Sequence, residues 1–440
     1  MRFAFLALAF CAVSACAPPA QVSKSRAAEE TGVGFGAPGA SMMLAAPSGP
    51  TSVAQDFMDL TFAMESGKGL ATFSRFEGPV TVALTGNDVP STAAGDLAAL
   101  VQRLRNEAGI DISTTTGAAT ITVEFTSRSD LRRLAPQAAC FVVPNVSSLA
   151  EYRRLRGSDA VDWALVTRRD RAAIFIPADT SPQEVRDCLH EELAQALGPL
   201  NDLYRLSDSV FNDDNFHSVL TGFDMQILAM TYSPTLSSGM GAADVASRIG
   251  AMGQGSAGAT PPAWENAIEM ALGRKGTLSA RRAAADRALD IATSAGWQDS
   301  RAAFSYFAVG RLAAGRDPGR ALQSFDRAAT LYARLPGGGI QLAHVDMQLA
   351  AMALAGGLAD QAVRLADRAM PAVRANQTAA LLATLMLIKA EALERLGDTA
   401  GAAALRLDSE PWARYGFGPD AVVKARVRDI AAVADRAHSG

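Results

Sequence analysis

The sequence has no basic cluster: its 41 Lys and Arg are outnumbered by 45 Asp and Glu, leaving a net charge of −4. That excludes the electrostatic footprint of a nucleic-acid-binding protein. No G-x-x-x-x-G-K-[ST] phosphate loop is present, and the triple glycine at 337–339 falls between repeats. No Ser-His-Asp or Cys-His arrangement stands out. Beyond the N-terminus no run reaches the ~18 uninterrupted apolar residues of a membrane span. His190 is followed four residues on by Ala194. The i, i+4 histidine pair of a helix-borne zinc site is therefore missing.

What is present begins with "MRFAFLALAFCAVSACAPPA". Arg2 is a short positive region, residues 3–13 are apolar, and small residues precede Cys16. This is the pattern of a secretory signal. "VSAC" resembles a bacterial lipobox, which makes Cys16 the expected lipidated N-terminus of an envelope lipoprotein. Ala17 after it favours the outer membrane, facing the periplasm. An ordinary signal peptide with Cys16 incidental is the alternative. Residues 17–55, rich in Ala, Gly, Pro and Ser, read as a disordered tether between lipid and folded body. Two cysteines remain after processing, Cys140 and Cys188. In an oxidising compartment an even pair suggests a disulfide; the alternative is two buried thiols.

The rest of the chain has two patterns. Residues 56–241 read as mixed α/β: helices over 56–64 and 94–109, and strands over 78–86, 119–127, 140–144, 161–167 and 172–177. A helix over "TSPQEVRDCLHEELAQALG" follows, with Ser181 as N-cap, Pro182 at its first position, Glu184 completing a capping box, and Gly198-Pro199 as its stop. After a Gly/Ser-rich linker (242–262), residues 263–440 are alanine-rich and helical, and they repeat. Asp286, Asp326 and Asp367 of three "DRA" triplets are 40 and 41 residues apart; Gly315, Gly356 and Gly397 are separated by 41 each time. A fixed period with glycine at each turn marks a solenoid of helical pairs, here about four. The period exceeds the ~34 of tetratricopeptide repeats, so the array is tetratricopeptide-like. A non-repetitive bundle with chance alanine matches is the alternative. Stacked pairs form a long concave surface, which points to a protein or peptide partner.

The helix 182–197 carries the chemistry-bearing residues. At about 100° per residue, His190 points roughly 100–160° away from Glu191, Glu192 and Gln195 and cannot chelate one ion with them. Counting from Glu191 gives Glu192, then Gln195 at i+4, Gly198 at i+7 and Asn201 at i+10. That is the spacing H-E-x-x-H-x-x-G-x-x-H of a metzincin, with each imidazole replaced by an oxygen-bearing residue. Glu191, Gln195 and Asn201 would offer hard oxygen ligands, suited to Ca²⁺ or Mg²⁺ rather than Zn²⁺. Glu192, at the edge of the apolar stripe, is the candidate general base and equally a structural anchor. His190 is expected to hold a neighbouring loop.

"CLHEELAQALGPLNDLYRLSDSVFNDDNF" and the segment to Met240 resemble a bacterial domain of unknown function, number 2927, with an HEExxQxxGxxND motif. His190, Glu191, Glu192, Gln195, Gly198, Asn201 and Asp202 match it, as does Ser209 to Asp214. Phe223 stands where the family carries histidine, which argues against a role there. The resemblance covers about residues 56–241 and implies the domain but no activity. Thr221 and Asp224 resemble the start of a matrixin's closing helix. Met240, beyond that helix, reads as linker. His217, near Asp213 and Asp214, is better explained by a solvated loop than by a metal. His344 and His438 read as surface residues.

The expected fold is an α+β zincin-like (metzincin-like) domain followed by an all-α tetratricopeptide-like solenoid. The expected role is a membrane-anchored interaction or scaffold module without zinc chemistry. The alternative is a metal-dependent peptidase or cell-wall hydrolase with Glu192 as base.

Overall fold

The computed structural model describes residues 53–136, 138–212, 216–250, 260–273 and 276–435. Cys16, the signal segment, the tether up to residue 52, Asp213, Asp214 and His438 lie outside them. The N-terminal half is α/β. Its elements run α1 (Val53–Thr61), β1 (Val80–Gly86), α2 (Ala93–Glu107), β2 (Ile112–Thr114), β3 (Ile121–Thr126), α3 (Arg128–Leu134), β4 (Phe141–Pro144), α4 (Leu149–Leu155), β5 (Ala172–Pro177), α5 (Pro182–Leu197), α6 (Gly222–Thr231) and α7 (Ala242–Ile249). The five strands form one sheet in the order β2-β1-β3-β5-β4. Three pairings are parallel; β4 alone runs antiparallel, beside β5. The expected α+β segregation is thus replaced by helices that cross between parallel strands, since parallel neighbours cannot be joined by a tight turn.

Burial explains the central strand. Every residue of β5, "AAIFIP", is buried, as expected where both faces of a sheet are covered. One face supports α2 and α5; Phe175 and Ala173 on the other pack with Leu131, Val143 and Leu149 under α3 and α4.

Three expectations of the sequence are corrected. Residues 161–167 form no strand. Two 3₁₀ turns stand there, Asp159–Val161 and Trp163–Leu165, and the Asp162 carboxylate caps the second by accepting from the Ala164 amide at 3.0 Å. A local Asp bond to the backbone competes with strand pairing. The short β2 was not anticipated: one buried residue, Ile112, leaves three residues no readable alternation. The supposed linker 242–262 begins with α7, whose Val245 and Ile249 are buried in the domain core with Met240 packed against it.

The C-terminal half is all helical among the described residues. Four pairs follow one another: α8 (Pro262–Leu272) with α9 (Leu278–Ser294), α10 (Ser300–Ala313) with α11 (Pro318–Tyr332), α12 (Gly339–Ala355) with α13 (Ala359–Ala375), and α14 (Ala379–Arg395) with α15 (Thr399–Phe417). A final helix, α16 (Asp420–Asp435), packs on α12 and α14. The periodic glycines sit between the helices of the last three pairs. Gly397 takes φ +87°, which glycine adopts without strain. Among the described residues no helix is long and apolar enough to cross a membrane.

Cys140 and Cys188 are joined in a disulfide that ties the start of β4 to α5 across 48 positions. Closing a loop of that length restricts the unfolded chain. Replacing both cysteines by alanine is expected to lower unfolding stability by about 2–4 kcal/mol, read as a lower urea midpoint. An unchanged midpoint would show that the bond does not constrain the unfolded state.

Candidate functional site

The helix α5 starts as its sequence dictates. The Ser181 side chain accepts from the Glu184 amide, and Pro182 occupies the first turn. Its amphipathic wheel, however, does not set which residues are buried. α5 packs against α2, β4 and β5, and also against α15 of the helical array. Residues on almost every side are therefore buried, including Arg186, His190, Glu192 and Ala194.

His190 is 5% exposed. Its Nδ1 accepts from the Leu220 amide at 3.1 Å, while Arg103 donates to the Leu220 carbonyl at 2.8 Å. An Nδ1 that accepts belongs to a neutral ring with the proton on Nε2. Burial, then the nearby Arg186 and Arg103 charges, hold its pKa well below the usual histidine value, in agreement with a neutral ring. The residue clamps a loop, as its position on the wheel suggested.

Gly198 follows the helix. A Cβ built there would stand 2.9 Å from Thr231 Cγ2 and 3.0 Å from its Oγ1. The glycine is needed for the close approach of α6, and its own φ of −166° is ordinary extended backbone. Asn201 donates through Nδ2 to the Asp59 carbonyl at 2.9 Å and accepts through Oδ1 from the Asp202 amide at 3.1 Å. Ser209 donates to Asp224 Oδ1 at 2.5 Å, and Asp224 Oδ2 accepts from the Val210 and Thr221 amides. Thr221 and Asp224 form a capping box at the start of α6. Asn212 donates to the Leu206 carbonyl at 2.9 Å. Together these side chains organise the segment 198–221.

A buried arginine that the sequence reading overlooked completes the arrangement. Arg169, 4% exposed, donates to the carbonyls of Gln195 (2.6 Å), Ala196 (2.7 Å) and Gly198 (2.5 Å), the unpaired end of α5. Its guanidinium lies 4.8 Å from the Trp163 ring centroid. Burial lowers its pKa to about 10, and it stays charged at neutral pH. Tyr232 donates to the Leu197 carbonyl at 3.2 Å. Arg205, also 4% exposed, reaches Asp56 at 2.8 Å and Asp59 at 2.7 Å on α1. The cue in the sequence was the charge run "RRDR" at 168–171, which reads as a solvated turn until the fold buries one member.

Of the oxygen set Glu191, Gln195 and Asn201, the last is engaged elsewhere. Asn201 is 9% exposed, and both ends of its carboxamide are bound to main chain. Glu191 and Gln195 are half-buried, one turn apart. Among the described residues no group of three or more His, Cys, Asp or Glu is placed to hold a metal ion. Glu192 differs from its neighbours. It is 4% exposed, and its Oε2 has no hydrogen-bond partner among the described residues. Burial, then the carboxylates of Asp202 and Glu65, push its pKa up to about 8.

The remaining histidines are corrected. His217 is not solvated: its side chain is 4% exposed, with Nε2 at 3.2 Å from the Ser207 carbonyl and 3.3 Å from Gln341 Nε2. His344 is half-buried rather than exposed; its ring centroid lies 4.7 Å from that of Phe216, tilted by 40°. Burial lowers the two to about 4 and about 3 respectively.

With this geometry in view, residues 50–251 match the family model described as protein of unknown function (DUF2927). The helical array lies outside that match. No curated protein and no solved structure matches the chain.

Two outcomes are expected. Gly198→Ala should cost about 1–3 kcal/mol through overpacking, and Thr231→Ala in the same chain should recover part of it. No recovery would place the strain elsewhere. For Glu192, the folded state keeps a proton that the unfolded chain loses above about pH 4.5, so stability declines as pH rises from there to about 8. Glu192→Gln should match wild type at pH 4 and exceed it by on the order of 4 kcal/mol at pH 8, measured by denaturant unfolding. Parallel pH profiles would show that Glu192 ionises freely.

Proposed function

With residues 50–251 as a DUF2927 domain for premise, we propose that the chain is an envelope lipoprotein acting as an interaction or scaffold module. In this reading the domain is zincin-like in its motif helix but without zinc chemistry, Cys16 carries the lipid, and the helical array carries the protein or peptide partner. One observation supports it most: the motif side chains are committed inside the domain. His190, Asn201, Ser209 and Asn212 hold the segment 198–221. A catalytic or metal-binding set would leave such groups turned toward a ligand. Net charge of the wrong sign for nucleic acid agrees with a protein partner.

A second reading, hydrolysis of peptide or cell wall, is favoured by Glu192 alone, a buried carboxyl with an oxygen that has no hydrogen-bond partner among the described residues. A carboxyl raised to about 8 is mostly protonated at neutral pH. It would serve as a general base only in alkaline conditions, and poorly at pH 7.

The mature protein is expected to purify without stoichiometric divalent metal and to melt at the same temperature with and without chelator. Bound metal, with activity on peptides or peptidoglycan that Glu192→Gln abolishes, would replace this reading by the second. Cys16→Ser is expected to move the protein from the membrane fraction to the soluble one; retention in the membrane would remove the lipid anchor from the proposal.

A further inference from the structure

Folding gathers a basic face that the sequence does not carry as a run. Residues 128–171 hold nine Arg and no Lys against five Asp and Glu, a net +4 inside a chain that carries −4. Most of these arginines belong to two short helices. Arg132 and Arg133 lie on α3, Arg153 and Arg154 on α4, and Arg156 directly after α4; all five are exposed. Bonds between the helices put them on one surface. Asp130 of α3 accepts from Arg133 and, at 2.7 Å, from Arg153 of α4. Arg156 donates to the Leu134 carbonyl at 2.9 Å. Glu151 accepts from the exposed Arg171 and from the Ser147 amide, each at 2.9 Å. Two carboxylates among six exposed arginines leave an excess of positive charge.

The place of this face in the fold narrows its partner. α3 and α4 cover Ala173 and Phe175 on one side of the sheet. α5 covers the other side, and α15 of the array packs on α5. Successive residues of a strand point to opposite faces, so the arginines stand on the side of the sheet away from the array. The side chains of Arg133, Arg153 and Arg154 are 68%, 48% and 72% exposed. Guanidiniums spread in this way over open surface suit a broad anionic surface, because each can meet a separate phosphate in a planar, two-point contact.

The lipid expected at Cys16 stands 37 positions before Val53, where α1 begins. A chain of that length can span up to ~120 Å, so a lipid there does not decide which face of the body meets the bilayer. A basic face does decide it, because an anionic leaflet attracts clustered arginines. We propose that the α3–α4 arginine face docks on the surface of an anionic phospholipid bilayer and so turns the helical array away from the membrane, toward its partner. The proposal rests on reading the chain as a membrane-anchored interaction module.

The probe is the full mature chain with Cys16→Ser, which takes no lipid, sedimented with vesicles of two parts phosphatidylcholine to one part phosphatidylglycerol, or of phosphatidylcholine alone. Binding to the anionic vesicles only is expected, with loss between ~0.1 M and ~0.5 M NaCl as the Debye length shrinks. Adding Arg132→Gln, Arg133→Gln and Arg154→Gln should weaken it at least ~tenfold, a few-fold per arginine. The same charge change on exposed positions of the array, Arg287→Gln, Arg327→Gln and Arg364→Gln, should leave it within about twofold, because charges far from the contact are screened. Equal binding to neutral vesicles, or equal loss in the two triple variants, overturns the proposal. No binding to either vesicle also overturns it, and retention on purified peptidoglycan in that case assigns the face to the cell wall. Circular dichroism and the urea midpoint check that the variants stay folded. Fractionating cells that carry Cys16→Ser in ~0.5 M NaCl reads the lipid alone, since salt releases the face. Failure of the anchor and failure of the face are thereby told apart.

Discussion

The arrangement depends on one buried guanidinium. A helix ends with carbonyls that have no partner within it, and α5 ends in the interior, where water is not at hand to replace them. Arg169 supplies the donors. It reaches three carbonyls at the end of α5 and places its guanidinium carbon over the Trp163 ring. A cation suits the negative end of a helix dipole, and a planar fork with several donors can serve several acceptors at once. Burying that charge is costly without such partners. The pairing therefore sets both where α5 stops and how the chain leaves it.

From that end the rest follows in sequence. Gly198 lets α6 come within contact of the turn, and Asn201 and Arg205 tie the next residues to α1. His190 and Arg103 hold the two main-chain groups of Leu220, while Asp224 gathers Ser209, Val210 and Thr221. A segment without regular structure must satisfy its polar groups through side chains when it is buried, which is why so many of the motif's polar residues are bonded to it. The same segment carries Phe216 into the array, so the two halves meet through residues that the motif holds in place. Arg186 and Gln183 extend the contact from α5 itself, to the Gln377 carbonyl at 2.7 Å and the Ala380 amide at 2.8 Å.

Much of the architecture was legible in the sequence because it rests on local rules. Ser181, Pro182 and Gly198 delimit α5 by capping chemistry that operates within a few residues. Gly315, Gly356 and Gly397 announce helical pairs because each pair needs the same turn. The burial of α5 was not legible. An amphipathic wheel assumes one covered face, and α5 is covered by a sheet, by α2 and by α15. For the same reason His217 and His344 read as exposed residues: nothing near them in the chain tells that Gln341 and the Ser207 carbonyl meet the one and that Phe216 packs on the other. Residues 161–167 looked like a strand because Trp163, Leu165 and Val166 are apolar, while the bond from the Ala164 amide to Asp162 turned them into a 3₁₀ coil.

The sequence by itself determined the order of the two halves, the mixed pattern before the repeats, the bounds of the motif helix and its resemblance to one domain family. These are properties of short windows, where capping, periodicity and spacing act alone. Only the tertiary structure decided what the motif does. Whether a buried histidine or asparagine meets a ligand or a backbone amide depends on which distant residue arrives opposite it. Here the arrivals are Leu220, Asp59 and the end of α5 itself, brought together by packing between elements tens of residues apart. Glu192 keeps an oxygen without a hydrogen-bond partner among the described residues, and burial among carboxylates, rather than its place in the sequence, sets it apart from His190 and Asn201.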